Sequence, residues 1–261
     1  MSEPNHLVAV EGGVARVVLN RPEVHNALDD RLIADLGASL EKLAVDRAVR
    51  LVLLTGQGAS FCAGGDLAWM RRTADYTIEQ NLADAMSLAR LLYRLHTMPQ
   101  PTLALVNGPA YGGGVGLVAC CDIAIASESA KFSLSEVRLG LIPATISPYV
   151  VRKIGESMAR RYFLTAEVFE AADAEKIGLV HEVVPAAGVA DAVAWFIKRL
   201  REGGPAAQAA AKDLIVRVAG APIDEALMED TARRIADQRA SPEGKEGTEA
   251  FLAKRAPKWR G

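Results

Sequence analysis

Histidine and cysteine are scarce in this chain. Its 261 residues hold four histidines (His6, His25, His96, His181) and three cysteines (Cys62, Cys120, Cys121). A metal site built from several such ligands is hard to assemble from so few, and no metal is expected. Neither sign of charge dominates. Thirty Lys and Arg stand against 32 Asp and Glu, a net charge of −2, so electrostatics supports neither a nucleic acid nor a membrane surface as partner. No apolar run reaches the roughly 18 to 20 residues of a membrane span. The longest candidate, 112–126, is glycine-rich and interrupted by Asp122. The first residues show no basic segment followed by an apolar one, so a secretory signal is not expected. Adjacent Cys120 and Cys121 with a distant Cys62 make an irregular set. They read as reduced, buried thiols of a cytoplasmic protein rather than a disulfide framework. With these chemistries excluded, carboxylates and backbone groups are left to do the work.

What is present is a globular composition. Half the residues are apolar and 24% are charged, in a length that suits one domain, or one domain with a small appendage. His6 to Asn20 reads as two strands around Glu11-Gly12-Gly13, a hairpin signal. Asp29 or Asp30 is the cap of a helix with Leu32, Ile33, Leu36, Leu40 and Leu43 on its apolar face. Val49 to Thr55 and Thr102 to Val106 are short, almost wholly apolar runs, the pattern of buried parallel strands. Each is followed by a glycine-containing loop and then a helix. A further strand is expected over Asp122 to Ala126, and another over Ala130 to Phe132. Past Glu170 the pattern is mainly helical, over Val189 to Arg201, Pro205 to Val218 and Ile223 to Gln238. Gly203-Gly204-Pro205 and Gly220-Ala221-Pro222 mark the breaks. The fold class is α/β, with a helical C-terminal part and a basic tail, GTEAFLAKRAPKWRG.

Three places carry candidate chemistry. In Ser60-Phe61-Cys62-Ala63-Gly64-Gly65-Asp66, small residues let a ligand lie against the main chain, and a tight strand-to-helix turn is the alternative reading. In Asn107-Gly108-Pro109-Ala110-Tyr111-Gly112-Gly113-Gly114, three glycines open an apolar helix at a cost in backbone entropy, which points to close packing or an approaching ligand. This loop lacks the Lys-Ser/Thr pair of a phosphate loop, and no GxGxxG dinucleotide fingerprint is present. A helix start with free N–H groups does suit a developing negative oxygen. Together the loops point to two N–H donors on one carbonyl oxygen, an oxyanion hole. The third place is Glu136, flanked by apolar residues. Desolvation there would raise its pKa and make it an acid or base. The alternatives are a surface glutamate or one paired with Arg138.

Five segments, NRPEVHNALD, FCAGGDL, NGPAYGGGVGLVACCDIAIAS, KFSLSEVRLGLIP and EGTEAFLAKRAPKW, together resemble the crotonase (enoyl-CoA hydratase/isomerase) superfamily. The stretch SEVRLGLIPATISPYVVRKIG followed by ARRYFLTAEVF resembles its bacterial methylglutaconyl-CoA hydratase branch. The resemblance implies a spiral of ββα turns over residues 1–185 and a helical region over 186–261 for oligomerisation and CoA contact. It implies a homotrimer or a dimer of trimers, an acyl-CoA substrate, and no cofactor beyond the coenzyme A that the substrate carries. By the match, Gly65 and Gly113 supply the oxyanion hole and Glu136 is catalytic. Val24, His25, Ala27, Ala63, Gly64, Asp66, Leu67, Tyr111, Gly112 and Gly116 line the CoA and substrate. Phe251 and Lys254 reach the CoA from the C-terminal region, often that of a neighbouring subunit.

Two departures from the family pattern stand out. Two-carboxylate hydratases have a glutamate two residues after the triple glycine, where this chain has Gly116. After Leu139-Gly140-Leu141-Ile142-Pro143, glycines give way to Ala144-Thr145-Ile146-Ser147-Pro148-Tyr149, a bulkier and more polar roof. Ser135, Thr145 and Ser147 become candidates to orient a water. The expected activity is hydration of a short or branched 2-enoyl-CoA, such as 3-methylglutaconyl-CoA or a similar glutaconyl-CoA. The alternatives are a Δ3,Δ2-enoyl-CoA isomerase and a non-catalytic acyl-CoA- or RNA-binding relative. Against RNA, Arg152-Lys153 and Arg160-Arg161 read as solvated helix faces.

Overall fold

The structure, a computed structural model, describes residues 3–260. Met1 and Ser2 of the N-terminal segment and Gly261 of the tail lie outside the described residues. Strands β1 (His6–Glu11) and β2 (Val14–Leu19) form the expected hairpin. Helix α1 (Asp30–Val45) follows, capped by Asp29, whose carboxylate accepts the Leu32 N–H at 2.7 Å. Then come β3 (Leu51–Gly56), α2 (Leu67–Thr73), α3 (Ile78–His96), β4 (Thr102–Val106), the short β5 (Ala110–Tyr111), α4 (Gly113–Cys120), β6 (Ile123–Ser127) and β7 (Lys131–Ser133). A 3-10 turn at Glu136–Leu139 leads to α5 (Ser147–Thr165), β8 (Phe169–Glu170), α6 (Ala171–Lys176) and β9 (Glu182–Val184). The chain closes with α7 (Val189–Glu202), α8 (Pro205–Val218), α9 (Glu225–Ala240) and α10 (Pro242–Leu252). The basic tail read from sequence therefore begins inside a helix. Ser241 caps α10 by accepting the Gly244 N–H.

The main sheet has the order β1-β2-β3-β4-β6-β9, parallel throughout except for the β1–β2 hairpin. A second sheet, β5-β7-β8, packs against α4 and α6. The inner strands β3, β4 and β6 are apolar on both faces because both faces are covered. Val52, Leu54, Ala104, Val106, Ala124 and Ala126 point into the larger core, where the apolar stripe of α1 meets Leu91, Leu92 and Leu95 of α3. Leu51, Leu53, Leu103, Leu105 and Ile125 point the other way, against Ala192, Val193, Phe196 and Leu200 of α7. Thus α7, the first helix of the C-terminal region, completes the covering of the sheet.

This topology positions the site. Strands β2, β3 and β4 are neighbours and run parallel, so the loops leaving their C-terminal ends emerge side by side, the usual place for a ligand in such a sheet. No helix among the described residues is long and apolar enough to cross a membrane.

Candidate active site

Side chains and main chain bind the three loops into one frame. Asn26, fully buried, accepts the Arg21 N–H at 2.9 Å and donates to the carbonyls of Gln57 (2.9 Å) and Ser60 (2.8 Å). Asn107 accepts the Gly56 N–H at 3.2 Å and donates to Gly58 O at 2.9 Å. Leu28 straddles Gly65: its N–H donates to Gly64 O (2.7 Å), and its carbonyl accepts the Asp66 N–H (2.8 Å). Tyr111 N–H donates to Cys62 O at 2.9 Å, and Gly112 N–H to Ser133 O at 2.9 Å. The last bond ties the glycine loop to β7, and β7 leads directly to Glu136.

This pairing leaves two donors unused. Leu28 engages the residues on either side of Gly65 and leaves the Gly65 N–H unpaired. Gly113 is the first residue of α4, where an N–H has no partner within the helix. Among the described residues neither N–H donates a hydrogen bond. The two loops touch, since a β-carbon on Gly64 would lie 2.9 Å from Tyr111 O and 3.7 Å from Gly112 Cα. Gly64 has φ +89° and Gly112 φ +47°, conformations that favour glycine. The entropy cost of these glycines therefore goes into a turn that brings the two backbones together.

Glu136 stands beside them. Its Oε1 would be 3.0 Å from a β-carbon on Gly112. Its Oε2 is shut away from solvent with no hydrogen-bond partner. Burial pushes its pKa above that of an ordinary glutamate, against a weaker pull from its own backbone N–H. The two alternatives left open by its sequence do not hold. The carboxylate is not a freely solvated surface group, and Arg138 forms no ion pair with it among the described residues.

A cavity of about 800 Å³ opens next to Gly65. It brings together Val24, His25, Ala27, Ala63, Gly65, Asp66 and Leu67 of the expected wall. His25 donates or accepts a 3.0 Å bond with Ser60 Oγ, a wall arrangement. Asp66, only 6% exposed, caps α2 through the Ala68 and Trp69 N–H groups and pairs with Arg21 at 2.9 Å. Burial alone would raise its pKa, but those N–H donors and Arg21 outweigh it and hold the carboxyl below its usual value. Asp66 is thus a fixed anion that shapes the wall. Its partner Arg21 also bonds Asp29 at 3.0 Å and lines the same cavity, as do Arg71 and Arg72. These three arginines and Asn26 were not singled out from sequence. Arg21 and Asn26 lie within the quoted NRPEVHNALD segment, which was the available signal.

Gly116 is placed differently from the expectation. It is buried, and a β-carbon there would fall 2.9 Å from Ile146 Cβ and nearer still to Ile146 Cγ2. The space for a side chain at this position is filled by hydrocarbon, and Gly116 does not line the cavity beside Gly65. Ser147, a candidate to hold water, donates its hydroxyl to Ala144 O at 2.8 Å. Phe251 and Lys254, at the end of α10, do not line the cavity of their own chain. Phe251 is 82% exposed.

Comparison with known proteins agrees with this geometry. A family model described as enoyl-CoA hydratase/isomerase matches residues 9–261. The chain is 32% identical over 259 residues to the 2,3-dehydroadipyl-CoA hydratase of Escherichia coli K12, covering 98% of each. It is 32% identical over 264 residues to the crotonyl-CoA hydratase of Syntrophomonas wolfei, covering 98% of this chain and 97% of that protein. The crystal structure of an enoyl-CoA hydratase from Shewanella pealeana matches with a TM-score of 0.96 at 44% identity, over 98% of this chain and 96% of that one. The α/β architecture, the paired glycine loops and these matches agree: the chain belongs to the enoyl-CoA hydratase/isomerase family, the crotonase superfamily, and is an enzyme of that family.

Proposed function

We propose that this enzyme adds water to a short or branched 2-enoyl-CoA, with Glu136 as its single acid/base. The observation that carries the reading is the Glu136 carboxylate, with Oε2 shut away and unpartnered, against Gly112 at the start of the helix whose first N–H, that of Gly113, is free. The thioester oxygen sits between the N–H groups of Gly65 and Gly113. Glu136 takes a proton from water as the water oxygen bonds to Cβ. The π electrons move to the thioester enolate, which the two donors stabilise by several kcal/mol. The enolate then takes that proton from Glu136 at Cα. One carboxylate closes the cycle, and the net change is the addition of H2O. The walls at Val24, His25, Ala27, Ala63, Gly64, Asp66, Leu67, Tyr111 and Gly112 hold the CoA thioester mainly through main-chain atoms. Coenzyme A enters only as part of the substrate.

The favoured acyl group carries a distal carboxylate, as in 3-methylglutaconyl-CoA or a similar glutaconyl-CoA. The similarity to a 2,3-dehydroadipyl-CoA hydratase, whose substrate is also a dicarboxylic monothioester, supports this choice. A homotrimer or dimer of trimers, with Phe251 and Lys254 reaching the CoA of a neighbouring subunit, is supported by exposed Ile215, Ile223, Phe251 and Leu252 on the C-terminal helices and their connection. A reducing, cytoplasmic setting is supported by three buried free thiols.

A second reading, Δ3,Δ2-enoyl-CoA isomerase, is favoured by the same single carboxylate, because a 1,3-shift of a double bond needs only one base. Steady-state assays with crotonyl-CoA, 3-methylglutaconyl-CoA and a 3-enoyl-CoA decide between them. Hydration of the dicarboxylic substrate with the highest kcat/KM is expected. Conversion of the 3-enoyl substrate alone would replace the hydratase reading with the isomerase.

A further inference from the structure

Gly112 caps α4 and Gly116 lies in its first turn, joined by the bond from Gly116 N–H to Gly112 O at 3.2 Å. Neither carries a side chain, and each bare patch is covered from outside. The Glu136 carboxylate lies over the first. Ile146 lies over the second, with Leu92 Cδ2 beside it at 3.6 Å from the same would-be β-carbon. Ile146 is 2% exposed, and its carbonyl accepts the N–H groups of Tyr149 and Val150 at 3.1 Å each. Its backbone is therefore held at the start of α5, and its side chain has no room to withdraw.

We propose that Ile146 is a specificity-determining residue that acts as a plug. By filling the space over Gly116 it excludes a second carboxylate next to Glu136 and holds the site to single-carboxylate chemistry. The number of acids is thus set by a pair of positions, 116 and 146, thirty residues apart in the chain. The packing part of this inference stands on geometry alone. The chemical part rests on the proposed role of Glu136.

Two measurements test it. The first is thermal melting of G116A, I146A and G116A/I146A. Alanine is the better helix former, so at an open interior helix position it should stabilise. With Ile146 in place, G116A should lower Tm, by about 2–8 °C for overpacking in a chain of this size. In the I146A background the same substitution should raise Tm. The same sign in both backgrounds would overturn the plug.

The second measurement is the pH profile of hydration in G116E/I146A against I146A. A second carboxylate beside Glu136 disfavours ionisation of the pair, so the acid limb of kcat should move up by about one pH unit. G116E with Ile146 present should lose both Tm and activity. An unmoved acid limb in the double variant would remove Ile146 from control of the chemistry. E136Q separates the two levels. Full activity in E136Q would end the proposed role of Glu136, while the melting comparison would still decide the plug.

Discussion

Gly112 and Glu136 face each other so closely that a β-carbon on residue 112 would stand 3.0 Å from the carboxylate Oε1. Gly112 also has φ +47°, where an L side chain is strained. Gly112→Ala should therefore act twice. It should destabilise the fold by more than about 1 kcal/mol, since alanine does not suit a positive φ. It should also displace the base and lower kcat by about 10²-fold, the low end of what a general base contributes. Denaturant unfolding and steady-state kinetics on one preparation measure both effects. Unchanged kcat would show that Glu136 does not depend on this contact.

Glu136→Gln keeps the shape and removes the charge. Turnover should fall by about 10²–10⁴-fold, while calorimetric affinity for a saturated acyl-CoA stays within a few fold. A matching loss of affinity would mean that the residue binds rather than reacts.

The same variant should be more stable than the native chain at neutral pH. Burial raises the Glu136 pKa in the folded state, so between the unfolded and folded values the native state binds more protons than the unfolded one. Stability then falls as pH rises through that window, and the penalty persists above it. The Tm advantage of Glu136→Gln should grow as pH rises above about 4.3, the ordinary glutamate value, and shrink towards zero below it. Melting curves across that range check the sign. An advantage that grows on acidification would contradict the raised pKa.

Arg21 links Asp66 and Asp29 at 2.9 and 3.0 Å, with side-chain exposures of 17%, 8% and 19%. Arg21→Ala leaves two acids close together without their cation. A cost of about 3 kcal/mol is expected from chemical denaturation, the low end for breaking a buried pair. Because Asp66 has a lowered pKa, its contribution is present at neutral pH and is lost as pH falls through that depressed value. The stability gap between native and Arg21→Ala proteins should therefore narrow in acid.

Asn26 offers a test of the loop frame. Asn26→Ala strands two carbonyls and one N–H at a buried position, at about 1–3 kcal/mol for an unsatisfied group. Asn26→Asp is nearly isosteric but sets a carboxylate oxygen against the carbonyls of Gln57 and Ser60. It should be the less stable of the two by equilibrium unfolding. The reverse order would mean that the Nδ2 bonds do not hold the loops.

Local signals were readable in the chain. The apolar runs at Val49–Thr55 and Thr102–Val106, the cap at Asp29 or Asp30, and the glycines at 64–65 and 112–114 follow short-range rules. The strands, the capped helix and the paired loops appear where those rules place them. The resemblance supplied Glu136, whose position alone left it ambiguous. Features that depend on distant partners were not readable. Gly116 looked like a vacancy for a carboxylate, but its occupant, Ile146, comes from another loop. Arg21 stood in the sequence only as part of the NRPEVHNALD segment, and its two partners arrive from α1's cap and from the loop after β3. The start of α10 was not readable because Ser241-Pro242 caps a helix of low apolar content, and its second half falls in the tail read for its charge.

The two unused donors of this site belong to peptide groups, and every residue has one. Substituting side chains along β3 or β4 leaves them in place as long as the turns keep their shape. Inheritance can therefore erase the electrostatic half of the site only by deforming the backbone, and the loops' mutual bonding resists that. The half that responds to single substitutions is small: Glu136, and the space over Gly116 that Ile146 occupies. A substitution that changes what stands opposite the donors leaves the donors themselves as they are.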